Sequence, residues 1–128
     1  YVEFEDFEKL EIKVGKIITA EKVENADKLL KFSVDFGSEV RTIVSGVALH
    51  YDTAYMVGKQ VLCVMNLKPR KIRGVESQGM ILYAFVNGDK EFCFVTPEKE
   101  ISSGADVGWW LLTHIVIWMM TLLKIEKT

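Results

Sequence analysis

The sequence is poor in the residues from which most active centres are built. Among its 128 residues are only two histidines, His50 and His114, and two cysteines, Cys63 and Cys93. The histidines lie in unrelated contexts, and no serine, cysteine or carboxylate makes a recognisable partner for either. The cysteines have none of the close Cys or His neighbours that a zinc site needs. A glycine-rich phosphate loop of Walker or Rossmann form is also missing. Catalysis, a metal and a cofactor are therefore not expected of this chain. Internal repeats and low-complexity tracts are absent as well, which excludes a solenoid and a disordered tail. A large charge of one sign is lacking too: the formal net charge is −2, so the chain is no uniformly sticky polycation.

What is present is enough apolar material, 49% of the residues, for one compact core and too little chain for two ordinary domains. Cys63 and Cys93 both sit in apolar, strand-like runs and are expected to be buried free thiols. Two lone cysteines without a secretory signal fit a reducing cytoplasm. The chain begins at Tyr1 rather than Met, as a fragment or a domain cut from a longer protein would.

The charge is segregated. Residues 1–27 carry 8 acids and 4 bases, residues 28–73 carry 3 acids and 8 bases, and residues 74–128 carry 7 acids and 4 bases. A basic middle between acidic ends can attract a polyanion locally while the molecule stays near neutral.

Phe4, Phe7 and Leu10 recur at helical spacing behind acids, which predicts one short helix. Glu11 to Val23 reads as a long strand that bends or bulges at Gly15, and Asn25-Ala26-Asp27 as a turn. Leu29–Phe36 and Val40–Val44 flank Gly37-Ser38 as a hairpin. His50–Val57 holds a short helix or turn. Val61–Leu67 is an apolar strand, Lys68–Gly74 a basic loop, and Gly79–Val86 and Glu91–Val95 pair around Asn87-Gly88. Five or six short strands with a small helix between them predict an all-β fold, an OB-like five-stranded barrel with short helices over residues 4–107. Residues 108–128 form an apolar C-terminal extension. Within it, Trp109 to Leu123 has only Thr113, His114 and Thr121 as polar residues among 15. It falls short of the roughly 20 apolar residues of a membrane span, so an interface or core helix is preferred to a membrane-associated tail or a non-native end.

The segment Asn66 to Met80, NLKPRKIRGVESQGM, carries the functional signal. Lys68, Arg70, Lys71 and Arg73 are four bases within six residues, and Pro69 stiffens the start. Such a loop can meet several phosphates at once, each contact releasing counterions. Asn66 before it and Glu76, Ser77 and Gln78 after it are polar groups at strand ends, able to line the groove of an OB fold. Solvated surface and turn chemistry explain the same residue types equally well in isolation.

Asn66–Met80, together with Asn25-Ala26-Asp27-Lys28-Leu29 and Arg41-Thr42-Ile43-Val44-Ser45-Gly46, resembles the OB-fold tRNA-binding domain of methionyl-tRNA synthetases. The same domain occurs in free-standing bacterial tRNA-binding proteins and the endothelial-monocyte-activating polypeptide group. The resemblance spans about Phe4 to Val107. It implies a non-catalytic module that grips tRNA by shape and phosphate backbone, with any chemistry residing in a synthetase catalytic domain elsewhere. Carried over by position, Lys28, Lys31, Arg41, Ser45, Asn66, Lys68, Arg70, Lys71, Arg73, Ser77, Gln78 and Met80 form the candidate RNA-binding surface. Lysines would neutralise phosphates, arginines add forked hydrogen bonds, and Asn66, Ser77 and Gln78 contact sugars or base edges. A structural ion pair is the rival for Arg41. Core packing is preferred for Met80, and backbone geometry explains Gly74 and Gly79. The resemblance also implies a homodimer built from terminal segments. The apolar extension departs from the usual polar terminus and has to be covered by self-association or a partner. A protein-interaction or chaperone-like OB module is the alternative function.

Overall fold

The computed structural model describes residues 1–109 and 118–124. In chain order the elements are α1 (Phe4–Glu8), β1 (Ile12–Val23), β2 (Ala26–Asp35), β3 (Val40–Ser45), α2 (Thr53–Met56), β4 (Gln60–Val64), β5 (Arg70–Ile72), β6 (Val75–Ser77), β7 (Met80–Ile81), β8 (Tyr83–Val86), β9 (Glu91–Phe94) and β10 (Asp106–Val107). Residues 118–124 are helical, whereas 110–117 of the expected apolar helix lie outside the described residues.

β1 organises the sheet. Its first part, Ile12 to Lys16, pairs antiparallel with β4, and the stretch from Lys16 to Val23 pairs antiparallel with β2. One twelve-residue strand thus serves two neighbours and curls the sheet into the order β3-β2-β1-β4-β7, with β10 added against the start of β1. The register shifts on β1 lie between Ile17 and Thr19 and between Lys22 and Val23. The bulge expected at Gly15 is absent there. Gly15 instead allows close packing: a Cβ on it would come within 2.5 Å of Val34 and 2.6 Å of Phe36.

The two ends of the curled sheet meet. The Gln78 N–H donates to the Thr42 carbonyl at 2.8 Å, the Thr42 N–H donates to Gln78 Oε1 at 3.1 Å, and the Val44 N–H donates to Ser77 Oγ at 3.0 Å. The β3 edge, which would otherwise present unpaired backbone groups, is therefore occupied, and the architecture is an OB-like barrel as expected. Inside it, Phe32, Leu30, Val34, Ile17, Ile43 and Val61 have essentially no exposure, and α2 sends Met56 into the same core. On β2 the alternation of Leu30, Phe32 and Val34 inward with Lys31 and Ser33 less buried is the period of two that the apolar-polar pattern predicts.

Other boundaries differ from the sequence reading for local reasons. Ala26 and Asp27 already belong to β2, because the turn needs only Glu24 and Asn25, the latter at φ 58°. β4 ends at Val64; Met65 still donates its N–H to the Glu11 carbonyl at 2.7 Å, and the chain then bends away at Asn66 and Leu67. The run Gly79–Val86 divides into β7, which pairs with β4, and β8, which pairs with β9 around the loop at Asn87-Gly88. Cys63 is a buried free thiol in β4, but Cys93 in β9 is an exposed one. Strand alternation decides this: Phe92 and Phe94 take the inner face, and the cysteine between them faces out.

Candidate nucleic-acid interface

The segment Lys68–Gly74 is not a loop but most of a β-hairpin. β5 and β6 pair with Arg70 opposite Ser77, Lys71 opposite Glu76 and Ile72 opposite Val75. The two-residue turn is Arg73-Gly74, with φ of 51° and 81°. Positive φ at both central positions is the geometry that matches the twist of two paired strands, so Gly74 is explained by its backbone. Gly79 is explained by close approach, since a Cβ there would lie 3.2 Å from the Val64 carbonyl oxygen and 3.3 Å from Ile43.

Because side chains alternate on a strand, the hairpin distributes its charges rather than pooling them. Lys68 and Arg70 line a small cleft with Leu67, Ile72 and Met80. Lys71 lies between Arg70 and Ile72 in sequence and so projects from the opposite face, beside Glu76. Arg73, at the tip, shares a surface depression with Asn25, Asp27, Lys28 and Leu29 of the β1–β2 turn. All four bases are exposed, and no ion pair links any of them to an acid among the described residues.

The remaining candidates divide sharply. Lys28 is exposed and lies next to Arg73, so two basic segments 45 residues apart in sequence converge. Lys31 points outward from β2 but is bridged to Glu21 at 3.3 Å. Arg41 is half-buried: its Nη1 donates to the carbonyls of Met65 at 2.7 Å and Gln78 at 3.1 Å, and its Nε pairs with Glu39. The structural ion pair weighed as a rival for Arg41 is present. Ser45 Oγ donates to Tyr83 Oη at 2.9 Å. Asn66 ties down the N-terminal segment, accepting from the Glu11 N–H at 2.8 Å and donating to the Lys9 carbonyl at 2.5 Å. Ser77 is buried, and Gln78 uses backbone and side chain to close the barrel. Met80, expected in the core, is 45% exposed at the mouth of the cleft instead. It opens β7, the two-residue strand whose other member, Ile81, takes the inward place. Leu67 and Ile72 escaped the sequence reading because apolar residues beside a basic run look like core until their exposure is known.

A larger cavity, about 610 Å³, lies elsewhere, against Tyr51, Tyr55 and Phe94. Its charged rim is partly neutralised by the Lys16–Glu100 pair at 3.1 Å, and Lys59 sits 4.3 Å above the Tyr55 ring. It contains no hairpin residue. Among the described residues no three His, Cys, Asp or Glu side chains gather.

A family model for the tRNA binding domain matches residues 12–106, nearly the whole barrel. The chain belongs to the tRNA-binding domain family. Curated relatives agree: a methionine–tRNA ligase of Parabacteroides distasonis is 52% identical over 106 residues, covering 83% of this chain. One from Pyrococcus horikoshii is 48% identical over 107 residues, covering 84% of this chain. The tRNA-binding domain spans only 16% and 14% of those relatives. Among solved structures, a MetRS-related protein from Pyrococcus horikoshii superposes with a TM-score of 0.80 at 40% identity, over 84% of this chain and 98% of that one. The CsaA chaperone of Bacillus anthracis shares the fold, with a TM-score of 0.76 at 23% identity over 84% of this chain and 99% of that one. The tRNA-binding domain is a binding module, and the ligases that contain it extend far beyond the matched segment.

Proposed function

We propose that this tRNA-binding domain grips tRNA through the β5–β6 hairpin and the neighbouring β1–β2 turn, with Lys68, Arg70, Lys71, Arg73 and Lys28 as the contact set. The observation that carries the reading is the exposure of four hairpin bases without an acidic partner among the described residues. Surface cations that are not held in an ion pair stay available to phosphate, and each contact made releases counterions. Contacts of this kind position an RNA without reading its sequence. Asn66, Ser77, Gln78, Arg41 and Ser45 support the site from behind, since their side chains are engaged in the bonds that close the barrel and anchor its N-terminal segment. Lys31, bridged to Glu21, is held in reserve at the margin.

The same reading extends to context. A module that matches a small part of methionine–tRNA ligases would raise local tRNA concentration for a catalytic domain carried elsewhere, in the cytoplasm. Residues 4–107 would act as the RNA-binding unit and 108–128 as an interface segment. A homodimer is proposed for the free module. Exposed Phe4, Phe7 and Leu10 near one terminus, Trp109 in edge contact with Phe4 at 5.1 Å, and exposed Trp118, Met119, Met120 and Leu123 supply an apolar surface for it.

The test is a titration of fluorescent tRNA at two salt concentrations with the intact chain and with a Lys71→Glu, Arg73→Glu variant. The wild type is expected to lose affinity steeply as salt rises, with a log–log slope of several units. The variant is expected to bind at least tenfold more weakly at low salt and with a shallower slope. Equal affinity for the two proteins would remove the hairpin from the interface.

A further inference from the structure

The basic hairpin carries more than charge. At its foot Leu67 and Met80 are 43% and 45% exposed, and with Ile72 they form the apolar wall of a cleft of about 120 Å³ whose rim is Lys68 and Arg70. A purely electrostatic grip on phosphates gains nothing from an apolar wall. Two large apolar side chains nearly half open to water, beside a half-buried Ile72 and within a cationic surface, favour a ligand with a flat apolar part that covers them. The cleft is well below the roughly 300–1,000 Å³ of a pocket that encloses a whole small molecule. It therefore receives part of a larger ligand, one ring inserted edgewise or laid against the wall.

We infer that this cleft is a seat for a single unpaired nucleobase of the bound RNA, held between Met80, Leu67 and Ile72 while Lys68 and Arg70 take the flanking phosphates. The inference rests on the RNA-binding reading of the hairpin and adds a shape criterion to it. Bases inside a duplex are stacked and cannot reach an apolar shelf, whereas a base splayed from a loop offers its face to side chains and leaves its phosphates outside. The arrangement of the hairpin suits this division. Arg70 and Ile72 are two residues apart on β5 and so share the face that looks into the cleft, and Met80 approaches from β7 because Gly79 lets that strand pack tightly on Ile43. Met80 is unbranched and polarizable, fit to follow rings of different outline, so the seat would accept any base without choosing its identity. Preference for a folded RNA with exposed loop bases over a duplex of equal charge would then arise without sequence readout.

The experiment uses the full chain with labelled tRNA and with a blunt RNA duplex of similar phosphate count. Met80→Ser and Leu67→Ser change side chains that are nearly half exposed and outside the buried core, so a native fold is expected and is checked by thermal unfolding. Each should weaken tRNA binding about tenfold, toward the low end of the cost of removing an aromatic stacking partner, since these side chains offer apolar contact without a ring. Duplex binding and the salt slope should stay unchanged, and Met80→Leu should remain within about twofold of wild type. Two serine variants that bind tRNA as wild type does, or that lose affinity for tRNA and duplex equally, would overturn the inference. Failure of the hairpin reading itself would show differently, as tRNA binding indifferent to Lys71→Glu, Arg73→Glu.

Discussion

Arg73 sits at φ 51°, a backbone region that costs an L residue other than Asn or Gly roughly 1–2 kcal/mol. Nothing in the turn itself calls for arginine there, and side chains held in strained positions concentrate at functional sites. Replacing Arg73 by Asn is expected to raise stability by up to about 1 kcal/mol in urea unfolding while weakening tRNA binding, so the two properties should move in opposite directions. Loss of stability together with loss of binding would mean that Arg73 serves the fold. The cysteines offer a second residue-scale contrast. Burial pushes the Cys63 thiol up from 9.0 to about 12, with Arg41 opposing only in part. Cys93 is exposed, so a thiol reagent should label one cysteine per chain quickly and the other only on unfolding. Because the folded-state pKa of Cys63 is the higher one, its contribution to stability is complete below pH 9 and is lost as pH rises toward 12. Tyr83, raised by burial and lowered in part by the hydrogen bond from Ser45, acts in the same direction. Urea midpoints should therefore fall between pH 9 and 11, and Cys63→Val should flatten part of that fall.

At the scale of elements, β1 and the hairpin show how packing chooses among local possibilities. Gly15 looked like a bulge because glycine in a strand weakens pairing, yet its pairing with Val61 is regular and the space above it is filled by Val34 and Phe36. Gly15→Ala is expected to destabilise the domain by about 1–3 kcal/mol through overpacking, measurable by chemical denaturation. A neutral substitution would show that β2 can move aside at no cost. For the hairpin, charge spacing announced a basic segment but could not tell a loop from two paired strands. The difference matters, since pairing puts Lys71 on the face opposite Arg70 and aims Arg73 at Lys28.

At the scale of the molecule, the barrel closes through Gln78 and Ser77 against β3, and the basic hairpin grows out of that seam. Binding surface and fold closure are therefore neighbours in sequence, which is why Asn66–Met80 contains both phosphate-seeking and purely structural side chains. The exposed apolar residues at the two chain ends argue for a partner surface. Light scattering on the free module should give twice the mass of one chain, and Phe4→Ser, Phe7→Ser should shift it toward the monomer. A wild-type protein that is monomeric at high micromolar concentration would exclude this interface.

The all-β character, the strand order up to Ser45, the basic centre and the family were legible in residues alone, because strand period, turn glycines and charge are local properties of the chain. Which candidate residues remain free to bind was not. Asn66, Arg41, Ser77 and Gln78 have the donors and acceptors of RNA-reading groups. Only the folded chain brings them within 2.5 to 3.1 Å of backbone partners far away in sequence, such as Lys9, Met65, Val44 and Thr42. Met80 went the other way, from presumed core to exposed rim. A side chain's type sets what it can bond to, but whether that capacity is already used depends on contacts between distant segments, and these exist only once the sheet has curled on itself.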